Sequence, residues 1–202
     1  TCGIFPALHP SLNFSPKTVE LVEAVVSVLS WWRYLFINDK IESWCTYLLA
    51  LTDHLSDTEF QDVVRRLSIV RSKKKELFVG RGQAARVLSL FARGLLTVPH
   101  EIVDALRDFS IEVLLFMMAK TGREETRKTI SLYITNLRHV RPLLTGKDLV
   151  QMGYEQGPIF GSILRELKRA RLDGLVTTVQ DERELVRNRF PLATRPGDPQ
   201  SG

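Results

Sequence analysis

The 202-residue sequence has only two cysteines, Cys2 and Cys45. That is too few for a disulfide framework or a cysteine metal set, and it suits a reducing compartment, the cytoplasm. Long apolar runs are missing as well. The longest, Val113 to Ala119, falls far short of the roughly 20 residues a membrane-spanning helix needs. No charged start followed by an apolar core and a cleavage site appears, so nothing points to secretion. Period-two alternation is absent apart from a short candidate strand at Leu175 to Val179, and there is no clean internal repeat. The four histidines, His9, His54, His100 and His139, are scattered. Asp53-His54 superficially resembles a metal-dependent hydrolase pair, but no further spaced ligands complete it, and a capping or surface role fits better. Ser/His/Asp and Cys/His nucleophile arrangements are not recognisable. Gly80-Arg81-Gly82 follows helical sequence and lacks the Gly-Lys-Ser/Thr ending, which rules out a phosphate-binding loop of the nucleotide-hydrolase type. The chain begins at Thr1 without methionine, and the expectation is a piece of a larger protein.

What is present is enough for a core. Hydrophobic residues make up 44% and charged residues 25% of the chain, the proportions of a soluble globular protein. The net charge of +5 leans toward an anionic partner, although its distribution matters more than its sum.

Helix signals dominate. Ser15-Pro16 supplies a cap and a proline at the first helical position, and Val19, Val22, Val26 and Leu29 recur at helical steps to about Phe36. Asn38-Asp39 breaks that helix and can cap a second, with Ile41, Trp44, Cys45, Leu48 and Leu49 on one face. Ser56-Asp57-Thr58-Glu59 is a capping box, followed by Phe60, Val63, Val64 and Leu67. A longer helix starts at Arg71, with Gly80 and Gly82 expected to bend it or leave a loose turn. Pro99 opens a short helix to Phe109. Ser110 begins the most apolar one, which Gly122 is expected to close as a left-handed cap. Arg123 to Arg141 reads as an amphipathic helix ending before Pro142. A turn at Gly146–Leu149, a helix from Pro158 to Leu172 closed by Gly174, and a last helix from about Asp181 to Arg189 follow. Gly3 to Phe14 reads as irregular, and Pro191 to Gly202 as mobile. The fold class is all-α: a multi-helix array of packed helical hairpins.

Two basic clusters stand out. Arg65, Arg66, Arg71, Lys73, Lys74, Lys75, Arg81 and Arg86 are opposed, within residues 65–86, only by Glu76 among glutamates and aspartates. Unopposed cations suit phosphate, whose condensed counterions are released on neutralisation; a solvated helix face is the equal alternative. The second cluster is Lys147 with Arg165, Lys168 and Arg169. At about 100° per residue, Phe160, Ile163, Leu164 and Leu167 share one face of the Pro158–Leu172 helix, and Arg165, Lys168 and Arg169 point elsewhere. Arg171 falls in the apolar stripe and must snorkel or pair, with Asp173 the candidate. Cations at the helix end complement its dipole, which accounts for Arg169 and Arg171 but not for Lys147 and Arg165. Trp31, Trp32, Trp44 and Tyr47 read as core, with one of Trp31 and Trp32 facing outward.

The last third carries a resemblance. His139-Val140-Arg141-Pro142-Leu143-Leu144-Thr145-Gly146-Lys147-Asp148-Leu149, Gly153, Gly157-Pro158-Ile159-Phe160-Gly161, Ile163-Leu164 and Ala170-Arg171-Leu172-Asp173-Gly174 resemble the carboxy-terminal region of bacterial tRNA nucleotidyltransferases. These are the CCA- or A-adding enzymes of the poly(A) polymerase family. Glu182-Arg183-Glu184-Leu185-Val186 is similar to that family's end, and Leu8-His9-Pro10 and Trp44 to Ser56 resemble its neck junction and body more loosely. The resemblance implies residues 1–14 as the end of a neck, 15–141 as a helical body and 142–190 as a helical tail. It implies a role in gripping the tRNA acceptor arm and elbow. Catalysis with ATP, or ATP and CTP, and Mg2+ would belong to an amino-terminal head, whose Gly-Gly-x-Val-Arg-Asp loop and Asp-x-Asp pair are not in this sequence.

The candidate RNA contacts are therefore Arg71, Lys73, Lys74, Lys75, Arg81, Lys147, Arg165, Lys168 and Arg169. Gly146, Asp148, Gly157, Pro158 and Gly161 match the tail motif position by position. Whether those glycines serve contact or the packing of the tail is open, and no catalytic, metal or cofactor residue is expected here. The rival reading is a helical protein–protein or dimerisation module presenting aromatics near Trp31–Leu35.

Overall fold

The computed structural model describes residues 8–37 and 39–192. Cys2, the irregular stretch expected at residues 3–7, Asn38, and residues 193–202 of the end expected to be mobile lie outside the described residues.

Among the described residues ten complete α-helices are formed: α1 (Pro16–Tyr34), α2 (Ser43–Leu51), α3 (Asp57–Arg66), α4 (Arg71–Ala92), α5 (Pro99–Leu106), α6 (Ile111–Lys120), α7 (Glu124–Thr135), α8 (Gly146–Gln151), α9 (Pro158–Leu172) and α10 (Val179–Arg189). No strand occurs among the described residues, so the chain is all-α, and the candidate strand at Leu175 to Val179 does not form. No described helix is long and apolar enough to cross a membrane. The chain forms two compact units. One takes the described residues to Leu96 with Ala105–Ile134, and the other takes Thr97–Asp104 with the described residues from Thr135 onward.

In the first unit α1, α2 and α4 pack on α6. Every side chain from Glu112 to Ala119 is buried, which is why α6 carries no exposed face of its own. The starts of these helices follow their caps: the Ser15 and Ser110 hydroxyls accept from the Thr18 and Val113 amides. Ser56 and Glu59 complete the reciprocal box. Glycine acts differently from the sequence expectation. α4 runs unbroken through Gly80 and Gly82, and Gly80 lies against Val113 of α6. A Cβ on Gly80 would lie 2.5 Å from Val113 Cγ2. The glycine is there for contact, not for a bend.

Two more helix ends differ from expectation. Gly122 does not close α6; Thr121 caps it in an extended conformation, and the left-handed glycines are Gly94, Gly153 and Gly174. α7 stops at Thr135, and a short 3-10 turn, Leu137–His139, replaces its expected last turn and a half. Trp44, expected in the core, is 44% exposed, whereas Trp32 is 5% exposed.

The second unit is built around Leu144, Leu149, Tyr154, Ile163, Leu167 and Val186, with Phe160, Leu164 and Phe190 partly buried against them. The stretch expected as a turn at Gly146–Leu149 is the helix α8, whose Asp148 carboxylate accepts from the Thr145 amide (2.7 Å) and hydroxyl (2.6 Å). Gly174, at φ +72°, ends α9 with its amide on Arg171 O, and the Leu175 amide reaches back to Ala170 O at 2.8 Å. Tyr154 donates its hydroxyl to Phe190 O at 2.6 Å and so fixes the end of α10.

Candidate nucleic-acid interface

In the first unit the helix sorts the basic run at the start of α4 into an inward lysine and an outward group. Lys73 turns inward. Its ammonium lies 3.2 Å from Glu76, 3.4 Å from Glu42 and 3.6 Å from the buried Glu112. Burial disfavours its charge, but the hydrogen bond to Glu76 and the charges of Glu112 and Glu76 outweigh it, and its pKa is raised. Glu112 also accepts the Glu42 amide at 2.9 Å, so Lys73 is a clasp among α2, α4 and α6. Cys45 stands beside this cluster. Burial, opposed by Lys73 and reinforced by Glu112, pushes its thiol up to about 12, which leaves it unreactive.

Arg81 is likewise engaged. It holds the Asp57 carboxylate and Leu55 O, and its guanidinium lies 5.0 Å from the centre of the Phe60 ring. Arg65 pairs with Asp62. Arg71, Lys74 and Lys75 remain without an ion-pair partner among the described residues, and Lys74 lies 6.0 Å from the centre of the Phe78 ring. Asp53 and His54 hold Lys120 and Ser11 O, so this pair braces the unit.

In the second unit Lys147 and Arg165 are exposed and have no ion-pair partner among the described residues. Gly146 abuts Phe160, where a Cβ would lie 3.6 Å from the ring, so Lys147 starts α8 beside the first turn of α9. Gly157 and Gly161 are exposed, and nothing lies within 4 Å of a Cβ built on either. Gly157 has φ 173°, extended backbone open to any residue. Packing within the unit therefore explains neither glycine. Gly161 and Arg165, one turn apart on α9, are both exposed to solvent, a bare position beside a cation.

Arg169 is committed to Asp104 at 2.7 Å, and Lys168 is partly buried. Arg171 pairs not with Asp173 but with Glu182, at 3.3 Å. Asp173 instead takes the His100 amide (3.1 Å) and ring Nδ1 (2.5 Å). The sequence set thus resolves into Arg71, Lys74 and Lys75 on one unit, Lys147 and Arg165 on the other, Lys73, Arg81 and Arg169 held by carboxylates, and the partly buried Lys168. Phe78, beside Lys74, escaped the sequence reading because it sits at a position that fits the core stripe of α4 equally well.

No family model matches the chain. By sequence it is similar to the A-adding tRNA nucleotidyltransferase of Geobacter sulfurreducens, 35% identical over 188 residues, covering 91% of this chain and 21% of that protein. The A-adding tRNA nucleotidyltransferase of Halalkalibacterium halodurans is 33% identical over 79 residues, covering 39% of this chain and 18% of that protein. The chain thus spans about a fifth of the length of the curated relatives it matches. Among solved structures, the Thermotoga maritima CCA-adding enzyme complexed with tRNA matches with a TM-score of 0.72 at 17% identity, covering 92% of this chain and 44% of that one. At that identity the likeness speaks for the fold.

Proposed function

We propose that this chain, homologous to part of the bacterial A-adding tRNA nucleotidyltransferases, is the tRNA-holding region of a template-independent nucleotidyltransferase. It grips the acceptor arm and elbow while a catalytic head outside these residues adds nucleotides from ATP, or ATP and CTP, with Mg2+. The observation that carries this reading is the exposed pair of Gly161 and Arg165 with Lys147 beside it. Cations without carboxylate partners gain most from phosphate, and a helix surface without side chains lets a backbone approach closely. A-form RNA is read through shape, phosphate and 2′-hydroxyl contacts, which rigidly mounted cations supply without reading sequence.

Replacing Lys147 and Arg165 together by glutamate is expected to weaken tRNA binding several-fold and to flatten its dependence on salt. Unchanged affinity and slope would remove both residues from the interface.

A second reading, a protein–protein module, is supported by an apolar patch of the first unit: Trp44, Leu67, Ile69 and Val70 line an open groove of about 430 Å³. Tyr34 and Phe36 of the same unit are also exposed, at 77% and 89%. Association through such a patch resists salt, whereas phosphate binding falls with it, and binding measured at two salt concentrations separates the two.

A further inference from the structure

Lys74, Lys75, Phe78 and Val79 lie three, four, seven and eight residues after Arg71, so the five line one side of α4. With Gln61 of α3 they wall an open groove of about 670 Å³. Three cations line it and no carboxylate does. Glu76, the one acid of this stretch, is drawn away by Lys73 at 3.2 Å. The Phe78 ring is fixed from behind by Phe60, the ring centres 4.9 Å apart and tilted by 56°. With Lys74 over it at 6.0 Å, the ring presents a face at which positive charge already gathers.

We infer that this groove takes an unpaired RNA strand, with one base stacked on Phe78 and the phosphates on either side held by Arg71, Lys74 and Lys75. The inference rests on the tRNA-holding reading above and adds to it a feature of the RNA. Side chains three and four apart on a helix stand about 5–6 Å from one another, the scale on which base and phosphate alternate along a strand. A paired base keeps both faces inside the duplex, so only an unpaired one reaches a ring set in a groove. Gln61 and Ser72, also in the wall, bring an amide and a hydroxyl for base edges or a 2′-hydroxyl. An acidic peptide would use the cations and leave the fixed ring without a flat partner.

The test uses the full chain with a labelled single-stranded oligoadenylate and a blunt RNA duplex of equal length. Phe78→Leu, which keeps bulk against Phe60, is expected to weaken binding of the single strand about 5- to 150-fold, the worth of one base–aromatic stack. It should leave duplex binding and the salt slope unchanged, and Phe78→Tyr should restore the affinity. Lys74→Gln with Lys75→Gln should lower the slope instead. Equal loss for strand and duplex, or no loss for either, overturns the inference. ATP competing as well as the oligonucleotide would make this a mononucleotide site, and polyglutamate doing so would make it a protein site; either overturns it.

Should Phe78→Leu fail to fold, a 4-thiouridine strand irradiated with the unaltered chain is expected to crosslink within residues 71–79, and crosslinks confined elsewhere overturn the inference. A chain that binds neither tRNA nor duplex refutes the tRNA-holding reading itself. One that binds tRNA through Lys147 and Arg165 but ignores Phe78→Leu refutes only the groove.

Discussion

The fully buried carboxylate of Glu182 receives the Arg171 guanidinium at 3.3 Å. The same two oxygens accept the amides of Leu143 at 3.0 Å and Leu144 at 2.8 Å. One side chain of α10 thereby satisfies a charge from α9 and the bare backbone that leads into α8. A buried charge is tolerated only when paired and hydrogen-bonded, and here both conditions are met from two separate segments.

Removing that carboxylate strips its partners together. Glu182→Ala is expected to cost about 3–5 kcal/mol, because it leaves Arg171 with only Thr177 O as an acceptor and two amides with none. Arg171→Met should cost less, since Glu182 keeps its amide donors. Urea unfolding of the two variants checks the order, and equal losses would deny Glu182 its organising role.

Gly80 and Gly82 should respond oppositely to alanine. At Gly80 the new methyl meets the buried, stiff Val113 side chain at 2.5 Å. Overpacking of this kind costs typically about 1–3 kcal/mol, against a helix-propensity gain of about 1 kcal/mol. Gly80→Ala is therefore expected to lower stability and to recover it when Val113→Ala is added. At Gly82 nothing lies within 4 Å, so alanine there should stabilise by about 0.5–1 kcal/mol. Thermal melts of the three variants decide the matter.

Acid should unfold the chain through its caps. The Ser11 hydroxyl, then the Ser56 amide and hydroxyl, hold Glu59 at about 2 instead of 4.5. The Thr177 and Thr178 amides hold Asp181 at about 2 instead of 3.8. Both groups bind protons more weakly folded than unfolded, so their contribution is complete above about pH 4.5 and is lost as pH falls toward 2. Stability measured across that window should fall less steeply in Asp181→Asn. An unaltered slope would show that the cap does not carry the acid sensitivity.

Gly161 separates stability from binding. Leucine there meets open space and improves helix propensity, so the melting temperature should hold or rise. Under the tRNA-holding reading the same side chain stands in the path of the RNA backbone, and tRNA affinity should drop. A Gly161→Leu protein that binds tRNA as before would leave the glycine without the contact role proposed for it.

The sequence by itself determined where most helices begin. Ser15, Ser56 and Ser110 cap through bonds spanning three residues, and Pro16, Pro99 and Pro158 open helices by backbone geometry, so each signal is complete within one turn. The apolar stripe of α9 was equally legible, because a 3.6-residue period says which side is buried before it says against what. Helix ends were harder: α7 stops at Thr135, where no glycine or proline marks the end, and α6 needs no left-handed glycine.

What only the tertiary structure decided is which charges are free. Lys73, Lys74 and Lys75 read as one basic patch, yet Lys73 is consumed by carboxylates 31 and 39 residues away along the chain, at Glu42 and Glu112. Arg171 passes over its neighbour Asp173 for Glu182, eleven residues further on. Gly80 and Gly82, alike in sequence, differ because Val113 stands against only one of them. A cap or a stripe is a local fact, fixed by bond geometry over a few residues. An ion pair or a close helix approach depends on elements the chain brings together only by burying them, and no local pattern records that choice.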